Sequence, residues 1–335
     1  MAGLSASLGL AVPCAAERLE FEEPHMGTMV RLVLHSSDRK AATAAARAAF
    51  DRIADLDAAL SDYRDSSEVS RLAGAAGGPA VSVGRDLFAV LVRSEDLWRR
   101  SGGAFDVTVG PVVRLWRRTL RTGDWPDPAR REEALVLVGS EKMHLDAAAR
   151  TVRLERPGMR IDLGAIAKGY AGDEALRVLG GRGVPRALVA VGGDVVAGEA
   201  PPGAAGWVVA VAPDSAADGP TIGLDPRRGV LERLVLCNAA VSTSGDSEQW
   251  IERDGLRYSH ILDPRTGIGL TGRRRATVVA PDGITADSLA TAACVLGPAR
   301  GIALVESTPG AMAIVHQQEA ETRASRGWSE LRRAD

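Results

Sequence analysis

The alternation of apolar and polar positions divides most of the chain into short strands and a few helices. The clearest helix is predicted over 38–60, where apolar side chains recur three or four residues apart and share one face (Ala45, Ala49, Ile53, Leu56 and Leu60). Further helices are predicted over 85–100, 165–179 and 286–296. Glycine pairs follow the first two of these, as is typical of helix ends.

Strands are predicted at seven places: 29–35, 152–163, 186–196, 207–212, 231–241, 258–262 and 310–316. The second of these is predicted as strands around a Pro157-Gly158 turn. Two segments that contain prolines, 119–131 and 213–220, are predicted as loops. Strands and helices follow each other without a regular βαβ rhythm, which favours an α+β fold with mainly antiparallel sheets flanked by helices. We expect one domain over 17–320, preceded by a signal or leader segment (1–16) and followed by a polar tail (321–335).

The composition is that of an ordinary globular protein. The 335 residues include 41 basic and 43 acidic side chains, a net charge of -2, and 45% of them are hydrophobic. These values exclude wholesale disorder and argue against a nucleic-acid-binding protein. The 3 cysteines lack metal-like spacing, which argues against a zinc site and against a disulfide framework.

The first residues are apolar and uncharged. Residues 4–16 are fewer than the roughly 20 that span a bilayer, but they are typical of the hydrophobic part of a secretory signal. Small residues at Cys14 and Ala16 precede Glu17, where a peptidase can cut. The alternative interpretation is a disordered, alanine-rich leader. In either case, contact with a membrane is expected only through this segment.

A helix start in the middle of the chain indicates an anion site. A predicted strand runs into Asp162-Leu163-Gly164 and then into a helix, so free backbone N–H groups lie where anions bind readily. Lys168 follows about one turn later, within reach of a bound phosphate. The chain has two other lysines, Lys40 and Lys142, and otherwise uses arginine, which does not replace lysine where a compact ammonium is needed.

A later helix indicates a cation site. Asp287 and Thr291 are one helical turn apart and share a face. A carboxylate and a hydroxyl are oxygen ligands, which suit Mg²⁺ rather than zinc, and Mg²⁺ commonly binds substrate phosphates as well. Together the two helices indicate a pyrophosphate ligand. The chain has neither a Walker P-loop nor a G-x-G-x-x-G fingerprint, so it is not predicted to be a P-loop or Rossmann protein.

The motifs, taken in order over about 21–315, resemble those of the ApbE family of FAD:protein FMN transferases. They are D-L-G-A-I-A-K-G-Y-A (162–171), V-G-G-D (191–194), S-T-S-G-D (242–246), Y-S-H-I-L-D-P-R-T-G (258–267) and A-D-S-L-A-T (286–291). The resemblance implies a periplasmic bacterial enzyme that uses Mg²⁺ to transfer the FMN moiety of FAD to a Thr or Ser hydroxyl, with AMP as the leaving group. The implied acceptor is a flavoprotein subunit of a membrane redox complex.

The resemblance also implies site residues at matching positions. Those implied to bind FAD are Met26, Tyr63, Ala104, Phe105, Asp106, Asp162, Lys168, Gly193 and His260. Those implied to ligate Mg²⁺ are the side chains of Asp287 and Thr291 and the backbone oxygens of Ala165 and Ala290. Some members of the family carry a further acid at the position of Ala290.

In the implied reaction, Mg²⁺ and Lys168 neutralise the charge that builds on the pyrophosphate as AMP leaves. His260 is the first candidate for the general base because imidazole titrates near neutrality, and Asp246 is the second. Two other functions remain open. The same site with water as the acceptor makes an Mg²⁺-dependent FAD pyrophosphatase, and a flavin-binding accessory protein needs no turnover. The Arg273–Arg275 run is predicted to be a solvated face.

Overall fold

The computed structural model describes residues 16–211, 232–245, 249–318, 322–331 and 334. Within them the helices are α1 (Arg39–Leu60), α2 (Glu68–Gly74), α3 (Arg85–Ser101), α4 (Gly110–Thr122), α5 (Pro128–Leu135), α6 (Ala167–Gly181) and α7 (Gly283–Glu306). Short 3-10 turns lie at Ser140–Lys142 and Trp328–Glu330.

The strands in the first half of the chain are β1 (Glu17–His25), β2 (Thr28–Ser36), β3 (Val81–Ser82), β4 (Met143–Asp146), β5 (Thr151–Leu154), β6 (Ala187–Val191), β7 (Asp194–Ala197) and β8 (Trp207–Val211). Those that follow are β9 (Glu232–Leu236), β10 (Ala239–Gly245), β11 (Trp250–Arg253), β12 (Leu256–Asp263), β13 (Ile268–Thr271), β14 (Arg274–Ala280), β15 (Met312–Gln317) and β16 (Arg323–Ala324).

An 8-stranded sheet forms the centre of the fold. Its strands follow the order β1-β2-β6-β7-β10-β14-β15-β16, and each neighbouring pair is antiparallel. Smaller antiparallel sheets join β11-β12-β13, β3-β5-β4 and β8-β9. The prediction of an α+β fold with mainly antiparallel sheets is confirmed.

Side-chain alternation gives the central sheet two apolar faces. In β2, Leu32 and Leu34 pack with residues of α1 and α6, whereas Val33 packs on the other face with Trp207 of β8. The β8–β9 pair therefore covers one face, and α1, α6 and α7 cover the other. Helix α7 is long and apolar enough to cross a membrane, but 67% of its apolar window is buried in the protein, as expected of a core helix.

Most of the predicted elements lie where the periodicity placed them. Asp38 is the N-cap of α1, and its Oδ1 accepts the backbone N–H of Ala41 at 2.9 Å. The strand predicted over 186–196 is a hairpin, because the chain turns between β6 and β7 at Gly192, whose φ of 61° favours glycine. Of the strands predicted around a Pro157-Gly158 turn within 152–163, the first is β5, which ends at Leu154, and the second forms no named strand.

The loop predicted over 119–131 is confirmed only at 123–127, because helices occupy both of its ends. Helix α4 continues to Thr122 because one side of it is buried, with Val112 and Trp116 in the core. Helix α5 then begins at Pro128, and the Asp127 side chain accepts the backbone N–H groups of Ala129 and Arg130. Pro128 therefore marks the first position of a helix, where its missing N–H costs no hydrogen bond.

The two ends of the chain are described only in part. The predicted leader lies outside the described residues, apart from Ala16. Part of the segment predicted as a polar tail packs on the sheet: β16 pairs with β15, and Trp328 is 4% exposed in the cluster beneath β8 and β9.

Candidate functional site

A cavity of about 410 Å³ opens where the start of α6, the turn after β6, the end of β10, β12 and the first half of α7 meet. Most of the residues predicted for the site line it: Tyr63, Ala104, Phe105, Asp106, Asp162, Ala165, Lys168, Gly193, His260, Asp287 and Thr291. Asp246 lies outside the described residues. The sequence motifs, which are far apart along the chain, therefore converge on one cavity.

Met26 and Ala290 are not among the lining residues. Met26 lies in the tight turn between β1 and β2 with a φ of 52°. Its side chain packs against the core residues on the sheet face that α1, α6 and α7 cover. Ala290 is fully buried on α7, and its methyl side chain has no ligand atom, so only its backbone oxygen can ligate a metal ion. Their roles in flavin and metal binding stay predictions.

Lys168 places a positive charge on the cavity wall at the start of α6. Its Nζ lies 2.6 Å from Oδ2 of Asp194, which is 4% exposed, and Ser242 donates its hydroxyl to the other oxygen of Asp194. Helix α6 has no side-chain cap at its first turn. An ammonium and a helix start thus share one side of the cavity, the arrangement that binds phosphate groups.

Asp287 and Thr291 face the same cavity from α7. Oδ2 of Asp287 accepts the backbone N–H of Gly169 at 3.0 Å, and the Thr291 hydroxyl lies 2.9 Å from that of Ser244 on β10. Burial, reinforced by the neighbouring Asp194 carboxylate, raises the pKa of Asp287 well above its usual range, and Lys168 opposes this shift. A second positive charge close to Asp287 would favour its ionised form.

Two glycines let α6 and α7 approach closely enough to share the site. A Cβ at Gly169 would lie 2.1 Å from the backbone oxygen of Gly283, and one at Gly283 would lie 2.5 Å from the backbone oxygen of Gly169. Asp173, one turn further along α6, accepts the N–H groups of Gly283 at 2.6 Å and of Ile284 at 2.9 Å. The contact fixes the first turn of α7 and with it the direction of Asp287.

Asp162 lines the cavity shortly before α6 begins. Oδ1 accepts the N–H of Gly164 at 2.9 Å, and Oδ2 accepts from Arg117 on α4 at 2.7 Å. The same guanidinium donates to Asp62 at 2.6 Å and lies 4.6 Å from the centre of the Tyr63 ring. Arg117 is a cavity residue that the sequence analysis missed, because its partners are 45 and 55 positions away along the chain.

Asp106 is buried and saturated with hydrogen bonds. Its Oδ1 accepts from the Thr108 N–H, the Thr108 hydroxyl and the Ser140 hydroxyl, and its Oδ2 accepts from the Ser140 N–H, at 2.6 to 3.1 Å. Burial nevertheless raises the pKa of this carboxyl. Asp106 ties the loop after α3 to the turn before β4, which positions Ala104 and Phe105 on the cavity wall.

His260 enters the cavity from β12. Its backbone N–H donates to the Gln249 carbonyl at 2.9 Å, and its Nδ1 lies 3.2 Å from the same oxygen. A carbonyl oxygen can only accept, so this contact assigns the proton of the neutral ring to Nδ1 and leaves Nε2 as the basic atom. The neutral ring can therefore accept a proton at Nε2.

Other lining residues also escaped the sequence analysis as individual site residues. Asp194, Ser242 and Ser244 belong to motifs that it singled out, so the signal was present. Arg275 also lines the cavity, and Arg274 donates to the backbone oxygen of Val295 at 3.0 Å. The prediction of a solvated face over Arg273–Arg275 is therefore wrong at these two arginines, because β14 is an inner strand of the sheet.

A helix start beside a lysine, with a carboxylate and a hydroxyl on a second helix, is typical of an α+β protein that binds a phosphate group and has oxygen ligands for a cation. The model described as the ApbE family matches residues 26–315. The chain belongs to the ApbE family.

Relatives and solved structures agree with this family. A relative from Treponema pallidum named FAD:protein FMN transferase is 34% identical over 318 residues, which are 90% of this chain and 85% of the relative. The apbe protein from Thermotoga maritima superposes with a TM-score of 0.82 at 28% identity, covering 95% of this chain and 100% of that one. The flavin transferase ApbE from Vibrio cholerae gives 0.81 at 26% identity, with the same coverage.

Proposed function

We propose that this chain is an FAD:protein FMN transferase that needs Mg²⁺, modifies a Thr or Ser hydroxyl and releases AMP. One observation carries the proposal: Lys168, Asp287 and Thr291 line a single cavity at the start of α6. The names of the relatives support the transferase class and FAD as the substrate. In this proposal the pyrophosphate of FAD lies between Lys168 and the donors on α7.

The residues present fit Mg²⁺. Asp287 is 3% exposed and close to a second carboxylate, Asp194, so its charge calls for a nearby cation. The donors on the cavity wall are a carboxylate, the Thr291 hydroxyl and backbone oxygens, which are ligands that Mg²⁺ prefers. Among the described residues no group of three or more His, Cys, Asp or Glu side chains is placed to hold a metal ion. Mg²⁺ commonly completes its coordination with substrate phosphate oxygens, which the pyrophosphate of FAD would supply.

We propose that Asp287, Thr291 and the backbone oxygen of Ala165 hold the ion, with the backbone oxygen of Ala290 as a further ligand. When bound, Mg²⁺ supplies charge neutralisation at the pyrophosphate. Lys168 supplies a second positive charge there, and its ion pair with Asp194 holds the ammonium at the cavity wall.

The transfer step forms one bond at the FMN phosphorus and breaks another. The acceptor hydroxyl oxygen forms a bond to the FMN phosphorus, and the bond from that phosphorus to the bridging oxygen breaks, so AMP leaves with the bridging oxygen. The hydroxyl proton moves to Nε2 of His260, the ring nitrogen that the Gln249 contact on Nδ1 assigns as the acceptor in the neutral ring. Asp246 is the second candidate for this base.

The test is incubation with FAD, Mg²⁺ and a flavoprotein acceptor domain, followed by assays for AMP and for a fluorescent flavin adduct on the acceptor. AMP with an equal amount of adduct supports the transferase. AMP with free FMN and no adduct supports an FAD pyrophosphatase, and bound FAD without AMP supports an accessory protein. Omission of Mg²⁺ tests the metal requirement in the same assay.

We also propose that the protein acts in the periplasm on a flavoprotein subunit of a membrane redox complex. The apolar, uncharged residues 4–16 support export. Fractionation of cells that produce the full chain, with antibodies to it, tests the location: we expect the protein in the periplasmic or membrane fraction, and recovery in the cytoplasm would contradict export.

A further inference from the structure

Arg117 joins three segments that are distant in the sequence. From α4 its guanidinium reaches Asp62, in the connection between α1 and α2, and Asp162, just before α6. It also lies against the ring of Tyr63. A guanidinium is planar and has five N–H donors, so it can donate to two carboxylates while its face covers an aromatic ring; a lysine ammonium has no such planar group.

The two carboxylates differ in burial. The Asp162 side chain is 9% exposed and its other oxygen is occupied by the Gly164 N–H, whereas the Asp62 side chain is 24% exposed. Leaving a buried carboxylate without its partner is strongly unfavourable, while a more exposed pair contributes less. Asp162 is therefore the fixed anchor of Arg117, and Asp62 is the residue that Arg117 restrains.

Tyr63 is the outermost part of this arrangement. It is 76% exposed although it lines the cavity, and its backbone N–H bonds locally to the hydroxyl of Ser61 at 3.3 Å. An exposed ring in a short connection samples many orientations unless a neighbour holds it. Arg117 covers one face of the ring and fixes the residue before it.

We propose that Arg117 is a positioning residue that holds Tyr63 at the cavity rim so that the uncovered face of its ring stacks on the flavin ring of FAD. The proposal rests on the function proposed above, in which FAD is the substrate, and on the flavin contact that the family resemblance implies for Tyr63. What it adds is the role of Arg117, which contacts the Tyr63 ring and donates to Asp62 and Asp162. Arg117 itself takes no part in the transfer step.

The test is the affinity for FMN, measured by fluorescence titration without turnover, in the full chain and in Arg117→Met and Arg117→Lys. We expect about a tenfold weaker affinity for Arg117→Met. The loss should be smaller for Arg117→Lys, which keeps the positive charge but lacks the planar set of N–H donors. In AMP release, the KM for FAD should rise by a similar factor with little change in kcat, because stacking of the ring contributes equally before and during transfer.

Arg52→Met is the matched control. Arg52 also joins two carboxylates, Asp86 at 2.8 Å and Glu174 at 3.0 Å, but it does not line the cavity. Its loss should lower the temperature of unfolding and leave FMN affinity unchanged. An equally large loss of affinity in this control would overturn the proposal, because the effect would then be general destabilisation.

Unchanged FMN affinity in both Arg117 variants would overturn the positioning role and leave the proposed function intact. If Arg117→Met does not fold, Arg117→Lys alone decides, because unchanged affinity in the folded lysine variant also overturns the role. Failure of the unaltered chain to bind FMN or FAD would instead contradict the proposed function, and the positioning role with it.

Discussion

The Nζ atom of Lys168 lies 2.6 Å from Oδ2 of Asp194, and this ion pair joins the first turn of α6 to the turn between β6 and β7. Asp194 is held in turn by the hydroxyl of Ser242 on β10. The lysine charge is thus fixed from three elements at the point where α6 begins. A chain that otherwise relies on arginine has a lysine here, in a space that accepts a compact ammonium.

Lys168→Arg should impair use of FAD, because the larger planar guanidinium does not fit between Asp194 and the bound pyrophosphate in the same way. We expect the KM for FAD to rise about tenfold, equivalent to about 1.4 kcal/mol of binding free energy. Steady-state AMP release measures this. Lys40→Arg, on the exposed start of α1, is the control and should behave like the unaltered chain. Equal KM values for the two variants would contradict the role of Lys168.

Asp287→Ala should remove the Mg²⁺ dependence of the protein. We expect AMP release to fall at least about a hundredfold, and the rise in unfolding temperature that Mg²⁺ causes should disappear. The control is Asp282→Ala at the N-cap of the same helix, which loses its bond to the Thr285 N–H and about 1 kcal/mol of stability. That variant should keep its response to Mg²⁺. A normal Mg²⁺ response in Asp287→Ala would rule out ligation by this residue.

The close approach of α6 and α7 is tested by Gly169→Ala. A Cβ here meets the Gly283 backbone oxygen at 2.1 Å, so the helices must separate, and overpacking of this kind costs about 1–3 kcal/mol or more. Gly180→Ala, in the same helix, meets nothing within 4 Å and should stabilise by about 0.5–1 kcal/mol. Urea unfolding measures both changes. A neutral effect of Gly169→Ala would contradict the contact.

Stability should depend on pH through Asp173. Burial raises the pKa of this carboxyl to about 7. The hydrogen bonds from the N–H groups of Gly283 and Ile284 favour the ionised form and only partly offset the effect of burial. The folded chain therefore binds a proton that the unfolded chain has released, and stability should fall as the pH rises from about 4 to about 7. The slope is at most about 1.4 kcal/mol per pH unit for one such group.

Asp173→Asn cannot ionise, so the free energy of unfolding of this variant should change less with pH over that window. Urea unfolding at about pH 5 and about pH 7 makes the comparison. The variant is expected to be less stable overall, because an amide can accept from only one of the two N–H groups without opposing the other. The same pH slope in both proteins would show that Asp173 does not titrate in this range.

Periodicity predicted most of the fold because one face of each major element is buried. All five apolar positions of α1 that the sequence predicted lie in the core: Ala45, Ala49, Ile53, Leu56 and Leu60 are each at most 3% exposed. The segment around α4 and α5 was missed because its prolines and arginines hide the narrow buried side that contains Trp116. Prolines mark loops and first turns of helices alike, so composition alone does not separate them.

The residues of the candidate site also include some that the sequence predicts and others that it does not. Motifs of adjacent residues, such as those containing Lys168 and Asp287, are visible in the sequence, and the fold brings them together. Arg117 belongs to no such motif, and its importance depends on a distance in space that no local pattern encodes. Helix packing sets that distance, and helix packing depends on the whole core.

The most direct test of the account is mass spectrometry of an acceptor flavoprotein domain after incubation with this protein, FAD and Mg²⁺. We predict that the acceptor gains the mass of FMN less one water at a single Thr or Ser, with one AMP released per adduct. His260→Ala should slow adduct formation by about a hundredfold or more. An unmodified acceptor in the presence of released AMP and free FMN would contradict transfer to protein.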